Sequence, residues 1–313
     1  MESNTRPGAD PSACAITLRG VVKHYGEVRA VDGVDLDIRR GEVFGLIGRN
    51  GAGKSTLFKM MLGLVKADAG TLLIQGSPVN ERSFRSVRRG IGYLPENVVL
   101  YDNLSGLETM RYFARLKGVA LTECEAVLDR VGLGTAAKRA VREYSKGMRQ
   151  RLGFAQALLG SPRVLFLDEP TTGLDPEATR AFYQTLRQLR DDGVTMIITS
   201  HILAELQERV DRLAILSAGR IQALGSVQEL REHMALPLRL EVLASEPGAD
   251  AVAAALALLP VQDLHRQGLR SHASCPRDAK MPVLSALAAL NGAVRDVVVH
   301  EPSLEDVFFG FAD

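Results

Sequence analysis

The chain has 313 residues, 46% hydrophobic and 24% charged, with 38 Lys and Arg against 37 Asp and Glu, a formal net charge of +1. This is the balance of a globular protein; it excludes a disordered or collagen-like chain and provides no global field for nucleic acid or anionic lipid. Cys14, Cys124 and Cys275 are odd in number and never form a CxxC pair, so free thiols in a reducing compartment are expected rather than a disulfide frame.

The opening residues, "MESNTRPGADPSACA", are polar with Pro, Gly and Ser, and predict a flexible tail over 1–15, neither signal peptide nor anchor. The longest apolar run, "AVAAALALL" at 251–259, is half of what crossing a bilayer demands. A membrane role is therefore expected to run through a partner.

From Ile16 to about 230 the pattern is strand-rich, then alternates strands with helices. "VDLDI" (34–38) alternates apolar and polar residues, as a half-solvated antiparallel strand does. "VFGLI" (43–47), "VLFLD" (164–168) and "TMIIT" (195–199) are continuously apolar, the pattern of parallel strands covered on both faces. "PEATRAFYQTLRQLRDDG" supplies a crossover helix stopped by Gly193, and about 97–160 reads as a helical subdomain.

"GRNGAGKST" (48–56) follows an apolar strand and precedes a helix candidate, "LFKMMLGL". Gly48, Gly51 and Gly53 let the backbone curl so that the N–H groups of the loop, including those of Arg49, Asn50, Ala52 and Thr56, can surround phosphates. Lys54 reaches the β and γ phosphates, and the Ser55 hydroxyl binds Mg²⁺. In "VLFLDEP", Asp168 ends an apolar strand at the sheet edge where ligands collect, a second Mg²⁺ ligand, and Glu169 is placed to polarise an attacking water.

"REYSKGMRQRLGFAQALL" (142–159) carries Met148, Leu152, Ala155 and Leu159 on one helical face, with Ser145 at the capping position. Two readings stand here: an ordinary capped core helix, or a helix start whose N–H groups, with Ser145 and Gly147, hold an anion. His201, after the strand that follows Asp168 and Glu169, reads either as a structural histidine or as a contact to the γ phosphate. Tyr25 in "HYG" is a core residue or an adenine-stacking ring.

After Val227 the order is strand ("LRLEVLA", 238–244), Ala/Leu helix, two strands in 261–275, helix (281–290) and strand ("VRDVVVH", 294–300). That order predicts a small ferredoxin-like α+β domain over 236–313. Ser303 with Asp306 predicts a capping box. His265, His272 and Cys275 match no standard metal spacing.

These motifs, in this order over about 16–230, resemble the ATP-binding subunits of ABC transporters. The resemblance implies an α/β P-loop nucleotide-binding domain with an antiparallel part and a helical subdomain. "EYSKGMRQR" stands where the family carries its signature loop, commonly Leu-Ser-Gly-Gly-Gln. Ser145 and Gly147 are retained; Lys146 and Met148 replace Gly and Gln. On that model the loop caps the γ phosphate of ATP held by the opposite subunit. Tyr25 matches the adenine-stacking aromatic, Asp175 in "GLDP" the loop reaching across a homodimer, and His201 the switch histidine. Glu96 in "GYLPENVVLY" stands where the family usually has Gln, touching Mg²⁺ and the attacking water; a carboxylate can still accept from water and ligate the cation, but its negative charge beside the γ phosphate predicts hydrolysis that is slow or partner-dependent.

The resemblance further implies ATP hydrolysis, two ATP per homodimer, Mg²⁺, and an integral membrane permease docking near Glu96–Tyr101 on the cytoplasmic side of the inner membrane, with no nucleic acid. The C-terminal unit looks like the tail of ABC-2-type exporter ATPases, with a regulatory or dimerising role. The wording of "IGYLPENVVLYDNLSG" and "YSKGMRQRLGFAQALLG" is similar to the ATPase subunits that help build the copper centre of nitrous oxide reductase, a branch that adds a periplasmic accessory protein. A soluble ABC-type ATPase switch and a binding module that hardly turns over ATP are the alternative classes.

Overall fold

The structure is a computed structural model that describes residues 13–200, 206–234, 236–303 and 305–306. The chain divides into two compact units, Met1–Leu224 and Gly225–Asp313.

In the first unit, β1 (Cys14–Tyr25) and β2 (Val28–Arg39) form a long antiparallel hairpin. With β4 (Ala69–Ile74) and β5 (Ser77–Pro78) they make a four-stranded sheet in the order β2-β1-β4-β5. The 34–38 segment alternates buried and exposed residues as expected, because only one face of this sheet meets the core. The expected tail is too long by two residues: Cys14 and Ala15 are buried, and Cys14 pairs with Arg39 at the start of β1.

The second sheet has the order β10-β9-β3-β8-β7-β6. Its strands are β3 (Val43–Gly48), β6 (Ile91–Leu94), β7 (Val164–Asp168), β8 (Thr195–Thr199), β9 (Arg212–Ser217) and β10 (Arg220–Gly225). β3 pairs in parallel with both β8 and β9, and β7 with both β8 and β6. The three continuously apolar runs are central here, and Phe44, Leu46, Phe166 and Ile197 are buried in the core that the two sheets share with α1 (Lys54–Met61). A parallel sheet gathers the C-terminal ends of its strands on one edge, so Gly48, Asp168 and Thr199 end together.

Between β6 and β7, after α2 (Phe84–Arg89), the chain inserts α3 (Gly106–Lys117), α4 (Glu123–Arg130) and α5 (Lys146–Leu158). A full capping box starts α3: the Ser105 hydroxyl accepts the Glu108 N–H, and the Glu108 carboxylate accepts the Ser105 N–H. Leu152 and Ala155 of α5, and Leu159 just past its end, are buried as the periodicity predicts, whereas Met148 at the helix start is only half-buried; Gln150, Phe154 and Ala157, which the stripe leaves out, are buried too. α6 (Pro176–Asp191) is the crossover from β7 to β8, and Gly193 follows it with φ +81°.

The second unit opens with α7 (Val227–Met234). Then come β11 (Leu238–Ala244), α8 (Ala249–Ala257), β12 (Gln262–Gln267), β13 (Arg270–Cys275), α9 (Lys280–Ala288) and β14 (Val294–His300). The sheet order β12-β13-β11-β14, antiparallel throughout, is that of the expected ferredoxin-like unit. One sheet face packs Leu238, Leu240 and Val242 against Val252 and Val283 of its two helices. Ser303 and Asp306 form the predicted capping box.

His265 and His272 pair across β12 and β13 with stacked rings 5.0 Å apart. Cys275 is fully buried three residues beyond His272, an odd step that puts it on the other face. No group of three or more His, Cys, Asp or Glu is placed to hold a metal ion among the described residues. All three cysteines are free and buried. No helix among the described residues is long and apolar enough to cross a membrane.

Candidate functional site

The loop 48–53 turns from β3 into α1, and the space around it dictates glycine. A Cβ on Gly53 would lie 2.1 Å from the Ala30 carbonyl oxygen of β2, and Gly53 adopts φ +104°. A Cβ on Gly48 would meet the Leu216 carbonyl oxygen at 2.5 Å. The Gly219 N–H donates to the Ala52 carbonyl at 3.0 Å, so the loop is held from β2 on one side and the β9–β10 turn on the other. The start of α1 has no side-chain cap, which leaves its first N–H groups directed at the loop's concavity. Asn50 and Ser55 are exposed there.

Lys54 is half-buried and donates to the carbonyls of Gly48 and Arg49, the latter at 3.2 Å. Burial lowers its pKa below the usual 10.5, and the carboxylates of Glu169 and Asp168 oppose that shift. The cation and the two acids therefore share one field, although more than a hundred residues separate them in sequence.

Strand register brings them together. Thr199 pairs with Leu46 of β3 on one side and with Asp168 of β7 on the other. Its hydroxyl donates to Asp168 Oδ1 at 2.6 Å and accepts the Glu169 N–H at 3.0 Å. Glu169 has φ +47°, a left-handed conformation that a non-glycine residue holds only when its surroundings impose it. Glu96 is exposed just past β6. It and Asp168 act on one neighbour, Tyr93, whose phenol is raised above its usual pKa by burial first and then by these two carboxylates.

Ser145, Gly147 and Asp175 form a second group. Ser145 caps α5 by accepting the Met148 N–H at 3.2 Å. A Cβ on Gly147 would lie 3.2 Å from the Gly173 carbonyl oxygen, and the aliphatic stem of Lys146 covers Gly173. The Asp175 carboxylate caps α6, accepting the Ala178 N–H at 2.8 Å ahead of Pro176. The capping reading of Ser145 is thus realised within one chain, and Asp175 is a cap as well. Tyr25 lies at the hairpin end of β1, 49% exposed, with the Lys23 ammonium 5.5 Å from its ring centre. His201 lies outside the described residues.

Two residues escaped the motif reading. Thr199 is the last letter of "TMIIT"; its signal is a hydroxyl at the terminus of an otherwise apolar strand. Gln150 is 6% exposed, and its amide donates to the Pro170 carbonyl at 3.1 Å. It lies off the apolar stripe of its helix, between two arginines, and the sequence gives no local signal for it.

A family model described as ABC transporter matches residues 31–172. The chain is 37% identical over 302 residues to the daunorubicin resistance ATP-binding protein DrrA3 of Streptomyces coeruleorubidus, covering 94% of each chain. Among solved structures it is similar to an ATP-binding subunit of an ABC transporter, with TM-score 0.65, 30% identity, and coverage of 70% of this chain and 92% of that one. It is also similar to an ATP-binding cassette in a dimeric post-hydrolysis state bound to ADP and Pi, with TM-score 0.62, 25% identity, and coverage of 68% and 98%.

Proposed function

Because the chain belongs to the ABC transporter family as an ATP-binding, ATP-hydrolysing subunit, we propose that it powers a small-molecule exporter whose membrane-spanning part is a separate permease. The observation that carries this reading is the register Leu46–Thr199–Asp168, which fixes the phosphate loop and the acid pair at one sheet edge.

Two copies close around two ATP. In each site the N–H groups of 48–56 and the Lys54 ammonium hold the β and γ phosphates, and Tyr25 stacks on the adenine. The donor set suits a hard cation: the Ser55 hydroxyl and an Asp168 carboxylate whose Oδ1 alone is taken by Thr199, with Glu96 alongside. Bound there, Mg²⁺ would neutralise charge developing on the phosphate oxygens. Glu169 orients and polarises the attacking water, and His201 contacts the γ phosphate. Ser145 and the amide of Gly147 reach the γ phosphate held by the partner copy, with the α5 dipole behind them. Asp175, at the head of α6, lines the same interface.

The permease docks beside Glu96. Val99 is 88% exposed and Tyr101 55%, and the Tyr101 ring packs edge-on against Tyr112 of α3 at 5.7 Å. Such an apolar surface at the head of the helical insertion suits a short helix of the permease on the cytoplasmic side of the inner membrane. The C-terminal ferredoxin-like unit has a regulatory or dimerising role. The daunorubicin-resistance relative, matched over nearly the whole chain, supports export of an apolar small molecule. A narrower reading, copper-site maturation of nitrous oxide reductase with a periplasmic accessory protein, rests on the wording of 91–106 and 144–160 alone.

The experiment is affinity capture of the tagged chain from detergent-solubilised membranes of its own organism, followed by ATP turnover of what is captured. A polytopic membrane protein at equal stoichiometry, with turnover stimulated by apolar drugs, supports the exporter. A chain absent from membranes supports the soluble switch instead, and a co-captured periplasmic copper protein supports the narrower branch.

A further inference from the structure

The Gln150 amide reaches out of α5 to the carbonyl of Pro170, the residue that directly follows Glu169. Gln150 is 6% exposed and donates this bond in a buried setting, where a lost donor leaves the carbonyl unsatisfied. Glu169 itself holds φ +47°, so its backbone persists only if fixed on both sides. On its N-terminal side Thr199 accepts the Glu169 N–H at 3.0 Å. On its C-terminal side the Thr172 N–H closes a turn onto the Glu169 carbonyl at 3.2 Å, and Gln150 anchors Pro170. The same helix start touches the same loop twice more, through the Lys146 stem over Gly173 and the Gly147 backbone against the Gly173 carbonyl.

We propose that Gln150 is a positioning residue for ATP hydrolysis: its side-chain amide fastens the start of α5 to the Pro170 peptide and thereby sets the carboxylate of Glu169. Thr199 ties that glutamate to the central sheet, and Gln150 ties it to the helical insertion. The helix that carries Ser145 and Gly147 thus carries, one turn on, the group that orients the water-polarising acid of its own chain. The inference rests on the assignment of Glu169 as that acid.

The test is steady-state ATP turnover of the full chain with Gln150→Met, which keeps the length of the side chain and removes its donor. Gln150→Leu and Glu169→Gln are measured beside it. Expected for both Gln150 variants is a kcat lower by about tenfold, the scale of one hydrogen bond lost in the transition state, with KM for ATP within about twofold of wild type. Filling space alone would leave kcat intact in Gln150→Met, because methionine fills the same volume. Wild-type kcat in Gln150→Met, or a loss expressed in KM alone, overturns the proposal. Should Glu169→Gln turn over like wild type, the assignment of Glu169 falls, and this inference with it. An inactive Glu169→Gln beside an unimpaired Gln150→Met removes this inference alone.

Discussion

The Thr199 hydroxyl donates to Asp168 Oδ1 at 2.6 Å and itself accepts the N–H of Glu169 at 3.0 Å. One side chain of β8 thereby orients one acid and fixes the backbone of the next. Thr199 is 2% exposed, so water cannot replace it. Thr199→Val keeps the shape and deletes the hydroxyl, and with it the acceptor of the half-buried Glu169 N–H and the donor to Asp168. The expected cost is about 1–3 kcal/mol in folding stability, with turnover lowered further than ATP binding. Denaturant unfolding together with ATP titration checks both.

Gly53→Ala tests the loop. Its Cβ would meet the Ala30 carbonyl oxygen at 2.1 Å, against backbone that cannot swing aside, at φ +104°. Backbone strain of this kind is worth about 1–3 kcal/mol, so ATP affinity should fall by about ten- to a hundredfold. Gly26→Ala is the control: its φ is also positive but its Cβ would meet nothing within 4 Å. Near-wild-type ATP affinity is expected there, by equilibrium titration.

Lys54 gives the fold a pH signature. Burial lowers its pKa in the folded chain below 10.5, despite the pull of Glu169 and Asp168. Between the folded and unfolded pKa values the unfolded chain binds more protons, so stability rises with pH across that window. The burial penalty is complete below the folded pKa and gone above 10.5. Against Lys54→Met, wild type should gain relative stability as the pH climbs toward 10.5. Parallel melting-temperature curves for the two proteins would contradict the placement of Lys54.

Glu96 acts on Tyr93 together with Asp168, so its carboxylate lies near the same end of the sheet. Its negative charge opposes charge developing on the γ phosphate. Glu96→Gln should therefore speed turnover, by on the order of threefold, because an exposed charge interaction is worth less than about 1 kcal/mol. Slower hydrolysis would mean that the help Glu96 gives in holding the cation outweighs its repulsion of the γ phosphate.

Much of this architecture was legible in sequence because the physics is local. Continuous apolar runs mark strands covered on both faces, and "GRNGAGKST" marks a loop whose glycines have steric causes at Ala30 and Leu216. The ferredoxin-like order followed from alternation in 238–300. What stayed hidden depends on pairing between distant strands. Nothing local in "TMIIT" says that Thr199 stands opposite both Leu46 and Asp168, and nothing local in α5 says that Gln150 meets Pro170. Ser145 shows the converse: its capping geometry was readable from neighbours a few residues away, whereas a reach to another chain is not written in local spacing.

The central claim is that two copies close on ATP and that Glu169 reopens them through hydrolysis. Light scattering of Glu169→Gln with Mg²⁺ and either ATP or ADP tests it most directly. The account predicts a doubled mass with ATP, unchanged monomer with ADP, and no lasting dimer for wild type once its ATP is spent. A variant that stays monomeric with ATP bound, or that releases phosphate as fast as wild type, would contradict it.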